Sequence, residues 1–251
     1  AILKNLEIYA EEVIKSSDYR KISIQEPTIK TSRQLGIFDC IAAPCVETCP
    51  TNQDIPDYLH YVANGDDTNS FHAILRTNPF PNSTGMVCDH LCQTKCTRIN
   101  YDDPLLIREI KRFVAEKNLE FNPEKIKKNN KKAAIIGAGP SGLSAAYFLT
   151  LAGFQVDVYE NKSQTGGMVS GAIPSFRLTN DTYLKDLKRI EKAGVKIHFN
   201  IDISKDNFEA IKEMSDFVYI ATGAPRTRKF KIENIEAGGV IDPLDFLFKV
   251  K

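Results

Sequence analysis

No excess of charge marks this sequence: across 251 residues, 33 Lys and Arg stand against 32 Asp and Glu, a net charge of +1. Bulk attraction to nucleic acid or to an anionic membrane is thereby excluded as an organising force, and partners must be sought in sites. A secretory signal core is missing too. Instead, residues 1–12 carry Lys4, Glu7, Glu11 and Glu12, while Ile2, Leu3, Leu6, Tyr9, Val13 and Ile14 recur at helical spacing, which predicts an amphipathic helix. The sequence opens on Ala1 rather than Met, as a piece of a longer protein would. It has no internal repeat or low-complexity tract, and no Ser–His–Asp set that demands hydrolytic chemistry. Only Ala133–Val156 runs uncharged for long enough to cross a bilayer. Gly137, Gly139, Pro140 and Gly142 interrupt it near one end, which argues against a spanning helix. The 42% hydrophobic and 26% charged content is ordinary for a globular chain of one large or two modest domains, and the expected location is cytoplasmic.

Cysteine is missing after Cys96; all six lie between Cys40 and Cys96, whereas glycine concentrates after Gly137. The two distributions meet across Glu120–Lys132, whose Lys125, Lys127, Lys128, Lys131 and Lys132 read as a solvated connector. Two domains follow, at residues 1–130 and 131–251. The first looks all-α. Asp54 can cap a helix with Pro56 in its first turn and Tyr58, Leu59 and Val62 behind it, stopping near Gly65. Asp103 and Pro104 repeat the signal for a helix over Pro104–Asn118, with Ile107, Ile110, Phe113 and Val114 as its apolar stripe. The second domain alternates. Strands are expected at Ala133–Gly137, Gln155–Glu160, Val195–Phe199 and Phe217–Ala221, with helices at Gly142–Ala152, Asp181–Ala193 and Asn207–Met214. In the second of these helices Leu184, Leu187 and Ile190 form the apolar stripe. That order implies a mostly parallel sheet covered by helices, so the fold class is a two-part α+β chain ending in a partial α/β Rossmann-like domain.

Gly137-Ala138-Gly139-Pro140-Ser141-Gly142 fits G-x-G-x-x-G, follows an apolar strand and opens a helix. The first glycine permits the tight turn, the second lets backbone approach a pyrophosphate, and the third lets the helix pack on the strand. The helix N-terminus then offers amide donors to the anion. Glu160 closes the next strand, close to the place of a carboxylate that binds ribose hydroxyls. Its charge disfavours a 2′-phosphate there, leaving FAD or NAD.

The cysteines are spaced C-x4-C-x3-C-P (Cys40, Cys45, Cys49, Pro50) and C-x3-C-x3-C (Cys88, Cys92, Cys96). Structural zinc prefers C-x2-C knuckles, which are missing. Cys followed by Pro is a feature of ferredoxin-type runs. Spacing favours iron–sulfur ligation, with zinc and inert or redox thiols as the alternatives. Of His60, His72, His90 and His198, only His90 is near enough in sequence to the cysteines to serve as a ligand.

A cysteine-rich helical domain leading into G-A-G-P-S-G resembles the glutamate synthase small-subunit family, which includes the N-terminal part of dihydropyrimidine dehydrogenase. The matching stretches are Asp39–Pro50 and Gly85–Cys96, then Gly166-Gly167-Met168, Ala172–Leu178 and Ala221–Ala224. Around the cysteines the sequence is most similar to the selenate reductase-type flavoprotein branch. The resemblance implies an α-helical ferredoxin-like domain with two [4Fe–4S] clusters, one on Cys40, Cys45 and Cys96 and the other on Cys49, Cys88 and Cys92. Ile37 stands where the family has a further cysteine. The second cluster's fourth ligand is expected from the following helix, where Glu109 is available but Lys111 holds the aligned position. The resemblance also brings Gly166, Gly167, Met168 and Arg177 near the flavin, and returns the chain to FAD at Ala221, Thr222 and Gly223. Pro140 and Ser141 join that site through the glycine turn.

The family implies an oxidoreductase in which NAD(P)H reduces FAD, and electrons leave through iron–sulfur centres to a partner subunit or domain. No second glycine fingerprint follows the first, so the NAD(P)H site is expected only in the full-length protein. Two rivals remain. One is a docking module stapled by clusters or zinc; the other is an NAD-binding regulatory protein with redox thiols.

Overall fold

The computed structural model describes residues 8–9, 11–13, 15–16, 43–121, 126–224, 226–227 and 233–251. Of the expected N-terminal helix, residues 8, 9, 11, 12, 13 and 15 are helical, and the rest lies outside the described residues, as do Ile37 and Cys40.

The first half is helical. Its elements are α1 (Pro44–Thr48), α2 (Ile55–Ala63), α3 (Asp67–Leu75), α4 (Pro81–Val87) and α5 (Ile107–Glu116), with two 3-10 turns at Gln93–Lys95 and Thr97–Asn100 between the last two. Proline near the N-terminus starts α1, α2 and α4, where its missing N–H costs nothing. Val46, Ile55, Tyr58, Phe71, Ile74, Ile107 and Val114 form one buried core. Gly85 lets α4 and α5 approach closely, since a Cβ there would lie 3.0 Å from the Arg112 backbone.

Sequence expectations fail here in three ways. Asp54 precedes α2, but its side chain makes no capping bond and turns to Arg76, 3.3 Å away. Helix α5 starts at Ile107, three residues after Pro104, because a tight turn from the Leu105 carbonyl to the Ile107 amide sets its first residue. Its buried face is Ile107, Lys111, Val114 and Ala115. Phe113, expected on that stripe, is half exposed beneath the Lys117 ammonium.

The second half runs β1 (Lys132–Ile136), α6 (Pro140–Leu151), β2 (Gln155–Tyr159), α7 (Met168–Gly171), α8 (Asn180–Lys192), β3 (Lys196–His198), α9 (Lys205–Glu213), β4 (Phe217–Ile220) and α10 (Pro243–Val250). The strands pair in parallel in the order β3-β2-β1-β4. Strand order therefore reverses beside β1, which is where such sheets bind ligands at their carboxyl ends. Ile135, Leu143, Tyr147, Val158, Leu178 and Ile190 fill the core beneath. The basic connector is pinned at its end, where the Asn129 amide donates to the Gly153 carbonyl at 3.0 Å. In α8 the buried face is Tyr183, Asp186, Leu187 and Ile190, while Leu184 is 40% exposed.

The halves share packing. Phe80 belongs to the core of the second half, and Phe121 touches both cores. Helix α4 packs against both α5 and α8. Among the described residues, no helix is long and apolar enough to cross a membrane.

Candidate functional site

Two sites emerge, one in each half of the chain. The glycine turn sits over the carboxyl ends of β1, β2 and β4. Gly137 takes the left-handed conformation (φ +104°), and a Cβ on it would lie 2.4 Å from the Ala221 carbonyl oxygen. Its amide donates to the Tyr159 carbonyl at 2.8 Å, while the Ala221 amide donates to the Ile136 carbonyl at 2.8 Å. Gly142 is buried so closely that a Cβ would lie 2.0 Å from the Gly137 oxygen. A Cβ on Gly139, by contrast, would point into open space. The 12-residue α6 begins with Pro140 and has no acidic residue in its first turn, so its amide donors and dipole stay available to an anion. This cradle fits a dinucleotide pyrophosphate.

The other expected residues take distinct places. Gly166 donates its amide to the Ala138 carbonyl at 2.8 Å, and Gly167 lies against Gly139. Met168 opens α7, a single helical turn within a stretch expected as loops, and is partly exposed. Ser141 shares a 2.8 Å hydrogen bond with the Tyr219 hydroxyl, a contact the motif did not foretell. Thr222 and Gly223 follow β4 at the surface. The contacts that gather these residues do not include Arg177, which is exposed on a turn closed by its own amide onto the Pro174 carbonyl. Glu160 is buried, with one carboxylate oxygen accepting from the Ala138 amide (2.7 Å) and the other from the Lys162 amide (3.0 Å). It therefore braces the turn, and each oxygen keeps a lone pair that a ribose hydroxyl can use.

The second site is a cavity of about 180 Å³ lined by Cys49, Cys88 and Cys92 together with Tyr58, Arg108 and Lys111. Cys88 follows α4 directly, Cys49 follows α1, and Cys92 leads into the first 3-10 turn. Burial, and after it the neighbouring Cys49 and Cys88, push the Cys92 thiol up to about 11. Lys111 opposes that shift, and its ammonium donates to Cys88 Sγ at 3.5 Å. Arg108 donates to the Cys88 carbonyl at 3.3 Å. Cys45 is raised by burial first, then by Cys96 and Cys49, which places it with Cys96 beside the trio. Burial raises the Tyr58 hydroxyl, with further contributions from Cys92, Cys49, Cys45 and Cys88.

None of the five described cysteines is in a disulfide. Among the described residues, no three His, Cys, Asp or Glu side chains are grouped to hold a metal ion. A mononuclear zinc site holds its sulfurs about 2.3 Å from the metal. A broader cavity with three sulfurs, apolar walls and two cationic donors fits an iron–sulfur core, whose properties depend on such donors. Lys111, not Glu109, faces this cavity; Glu109 pairs with Arg108 at 2.7 Å. An ammonium has no lone pair with which to ligate iron. His90 also lines the cavity, with its Nδ1 buried and unpartnered. Sequence reading missed the burial of Lys111, although its spacing of four from Ile107 and three from Val114 placed it on the apolar face.

Comparison with known proteins finds a domain match in each half of the chain. The family profile described as dihydropyrimidine dehydrogenase domain II, 4Fe-4S cluster, matches residues 16–123, and that of the NAD(P)-binding Rossmann-like domain matches residues 135–183. The chain is 35% identical over 208 residues to the NADPH-Fe(3+) oxidoreductase subunit beta of Geobacter sulfurreducens, covering 80% of this chain and 31% of that one. It is 33% identical over 244 residues to the glutamate synthase [NADPH] small chain of Bacillus subtilis, covering 95% and 48%. With the beta subunit of the NADP(+)-dependent formate dehydrogenase of Moorella thermoacetica it shares 32% identity over 235 residues, covering 82% and 33%. The chain spans between 20% and 48% of the length of such curated relatives. These three relatives are named as subunits or chains of oxidoreductases. Together the two matched domains and the small-chain relatives support iron–sulfur and flavin cofactors. With a 4Fe-4S domain match followed by a Rossmann-like nucleotide-binding match, the chain is similar over most of its length to glutamate synthase small-chain-like oxidoreductases.

Proposed function

We propose that this chain is the electron-transfer part of an NAD(P)H-dependent FAD and [4Fe–4S] oxidoreductase that delivers electrons to a partner subunit or domain in the cytoplasm. The carrying observation is the gathering of Cys49, Cys88 and Cys92 around one cavity, in a chain that also holds an open glycine cradle at a helix N-terminus. We place the division between the two domains near residue 130.

Bound flavin supplies two-electron acceptance with one-electron release, and iron–sulfur centres carry electrons singly. Within this chain, Gly137, Gly139 and Gly142 shape the cradle, and the first amides of α6 neutralise a pyrophosphate. Pro140 and Ser141 begin that helix, while Gly166, Gly167, Met168, Ala221, Thr222 and Gly223 form the walls. Arg177, exposed at the surface, would reach the flavin only from the rim. Glu160 holds the turn through the Ala138 amide and accepts from a ribose. Cys49, Cys88 and Cys92 ligate one cluster and Cys45 and Cys96, with Cys40, the other. Lys111 and Arg108 balance the negative charge that the thiolates bring into an apolar cavity.

The visible spectrum of anaerobically purified protein, with iron, zinc, acid-labile sulfide and flavin assayed on the same sample, tests this reading. Iron and sulfide in near-equal amounts support it. Zinc without iron would replace it with a stapled docking module.

A further inference from the structure

We propose that Asp186, with Arg189, sets the register of the cysteine domain on the nucleotide-binding domain, and is thereby a positioning residue for electron passage between the two sites. The inference rests on the function proposed above and goes beyond it, because neither residue belongs to the glycine turn or to the cysteine cavity.

Asp186 lies on α8 and is fully buried. Its carboxylate accepts four hydrogen bonds. Oδ1 takes the Asn82 amide (3.1 Å), Asn82 Nδ2 (2.9 Å) and Arg189 Nη1 (2.9 Å), and Oδ2 takes the Ser83 amide (2.7 Å). Asn82 and Ser83 lie in the first turn of α4, where backbone amides have no partner within the helix. The nucleotide-binding domain therefore caps a helix of the cysteine domain from across the chain.

Arg189, one turn along α8, extends the same grip. Its guanidinium lies 5.0 Å from the Phe71 ring centroid on α3 and donates to the Pro79 carbonyl at 3.4 Å. The two side chains thus bind residues 71, 79, 82 and 83.

The far end of α4 carries the functional consequence. Val87 is its last residue and Cys88 follows at once, lining the cavity beside Lys111. Met86 and Val87 pack on the core of the nucleotide-binding domain. A rigid seven-residue helix, capped by one domain and ending at a thiol of the other site, fixes the sulfur's position relative to the glycine turn. Burying a carboxylate is costly unless every oxygen is bonded, and an apolar pair could hold two surfaces together as firmly. Directional bonds to two successive amides instead define one orientation.

The test uses the full-length holoprotein, prepared anaerobically, with Asp186→Asn as the main variant and Asn82→Ala as a milder one. Iron, sulfide and flavin contents, cluster potentials and hydride reduction of the flavin are expected to match wild type. Amide exchange at Ser83 should rise on the order of tenfold to a hundredfold, the range for losing a hydrogen bond to a charged group. The flavin-to-cluster electron-transfer rate, read after rapid photoreduction of the flavin, should fall severalfold in Asp186→Asn and less in Asn82→Ala. An unchanged rate alongside lost protection at Ser83 would overturn the proposal and leave Asp186 merely structural. Unchanged protection would overturn the clamp itself. Wild-type protein that loads iron and flavin but passes no electrons between them would sink the proposed function instead.

Discussion

At the scale of single residues, two buried charges of the first half follow different logic. Lys111 is buried, lines the cavity with Cys49, Cys88 and Cys92, and donates to Cys88 Sγ. A positive charge beside a cluster favours its reduced, more negative form. Lys111→Met should therefore lower the midpoint potential of that cluster by tens of millivolts, where about 59 mV is tenfold in a one-electron equilibrium. Redox titration followed by electron paramagnetic resonance reads this directly, and an unmoved potential would separate Lys111 from the cluster. Asp54 behaves in the opposite manner. Burial, then the neighbouring Asp57 carboxylate, push it up to about 7, and its Oδ1 is buried without a partner. The unfolded carboxyl titrates near ~3.9, so between these values the native state holds more protons. Its stabilisation is fully present below about 4 and is lost as pH rises through about 7. Asp54→Asn should flatten that fall, making the variant relatively more stable at pH 8 than at pH 5 in urea titrations. Equal pH profiles for both proteins would refute the shift. The spacing of Lys111 from Ile107 and Val114 put it on the apolar face of α5, but the burial of Asp54 was not legible, because an acidic residue before a helix reads as its cap until its partners are known.

At the scale of elements, sequence reading succeeded where local chemistry sets the boundary. The glycine turn lies between β1 and α6 because Gly137 must adopt a positive φ and Gly142 must leave room for the Gly137 carbonyl. Both are requirements on glycine alone, so the motif reveals them. Helix α5 shows the limit: Asp103 and Pro104 are strong start signals, yet a turn at Leu105 defers the helix to Ile107. That turn, not the Asp103–Pro104 signal, sets the start. The glycines also part company in a testable manner. Gly142→Ala puts a methyl 2.0 Å from a backbone oxygen, so α6 must shift from the sheet. The expected cost is about 2–4 kcal/mol of stability, together with lost nucleotide binding. Gly139→Ala meets nothing within the protein and should keep its melting temperature within a few degrees. Its methyl would instead occupy the space meant for pyrophosphate, weakening flavin retention alone. Thermal unfolding and bound flavin, measured on both variants, distinguish a structural from a ligand-facing glycine.

At the scale of the whole molecule, the composition shift near residue 130 marks a change of chemistry but conceals how closely the halves are joined. Phe80 precedes the cysteine of α4's far end by only eight positions, yet it is buried in the nucleotide-binding core. Phe121 bridges the two cores, packing against His72 on one side and Tyr147 on the other. Lys192 adds a surface ion pair to Glu120 at 3.8 Å, which counts for little beside these rings. No local pattern could announce this, since an aromatic residue in a helical segment reads as belonging to its own helix bundle. Shared aromatic burial predicts that the two halves unfold together. Loss of helix signal and loss of cluster absorbance should then follow one transition in denaturant, as two-state coupling requires. Phe80→Ala removes the ring from the second core while leaving α4 its proline start. It should cost about 3–4 kcal/mol, the usual price of emptying an aromatic core position. Because the ring carries the first half into the second core, the variant should also split the single transition, with cluster absorbance and the parallel sheet reporting separate midpoints. If the two signals stay coincident in Phe80→Ala, the polar grip of Asp186 and Arg189 is by itself enough to couple the halves. If they already diverge in the wild type, the shared core contributes packing but no cooperativity.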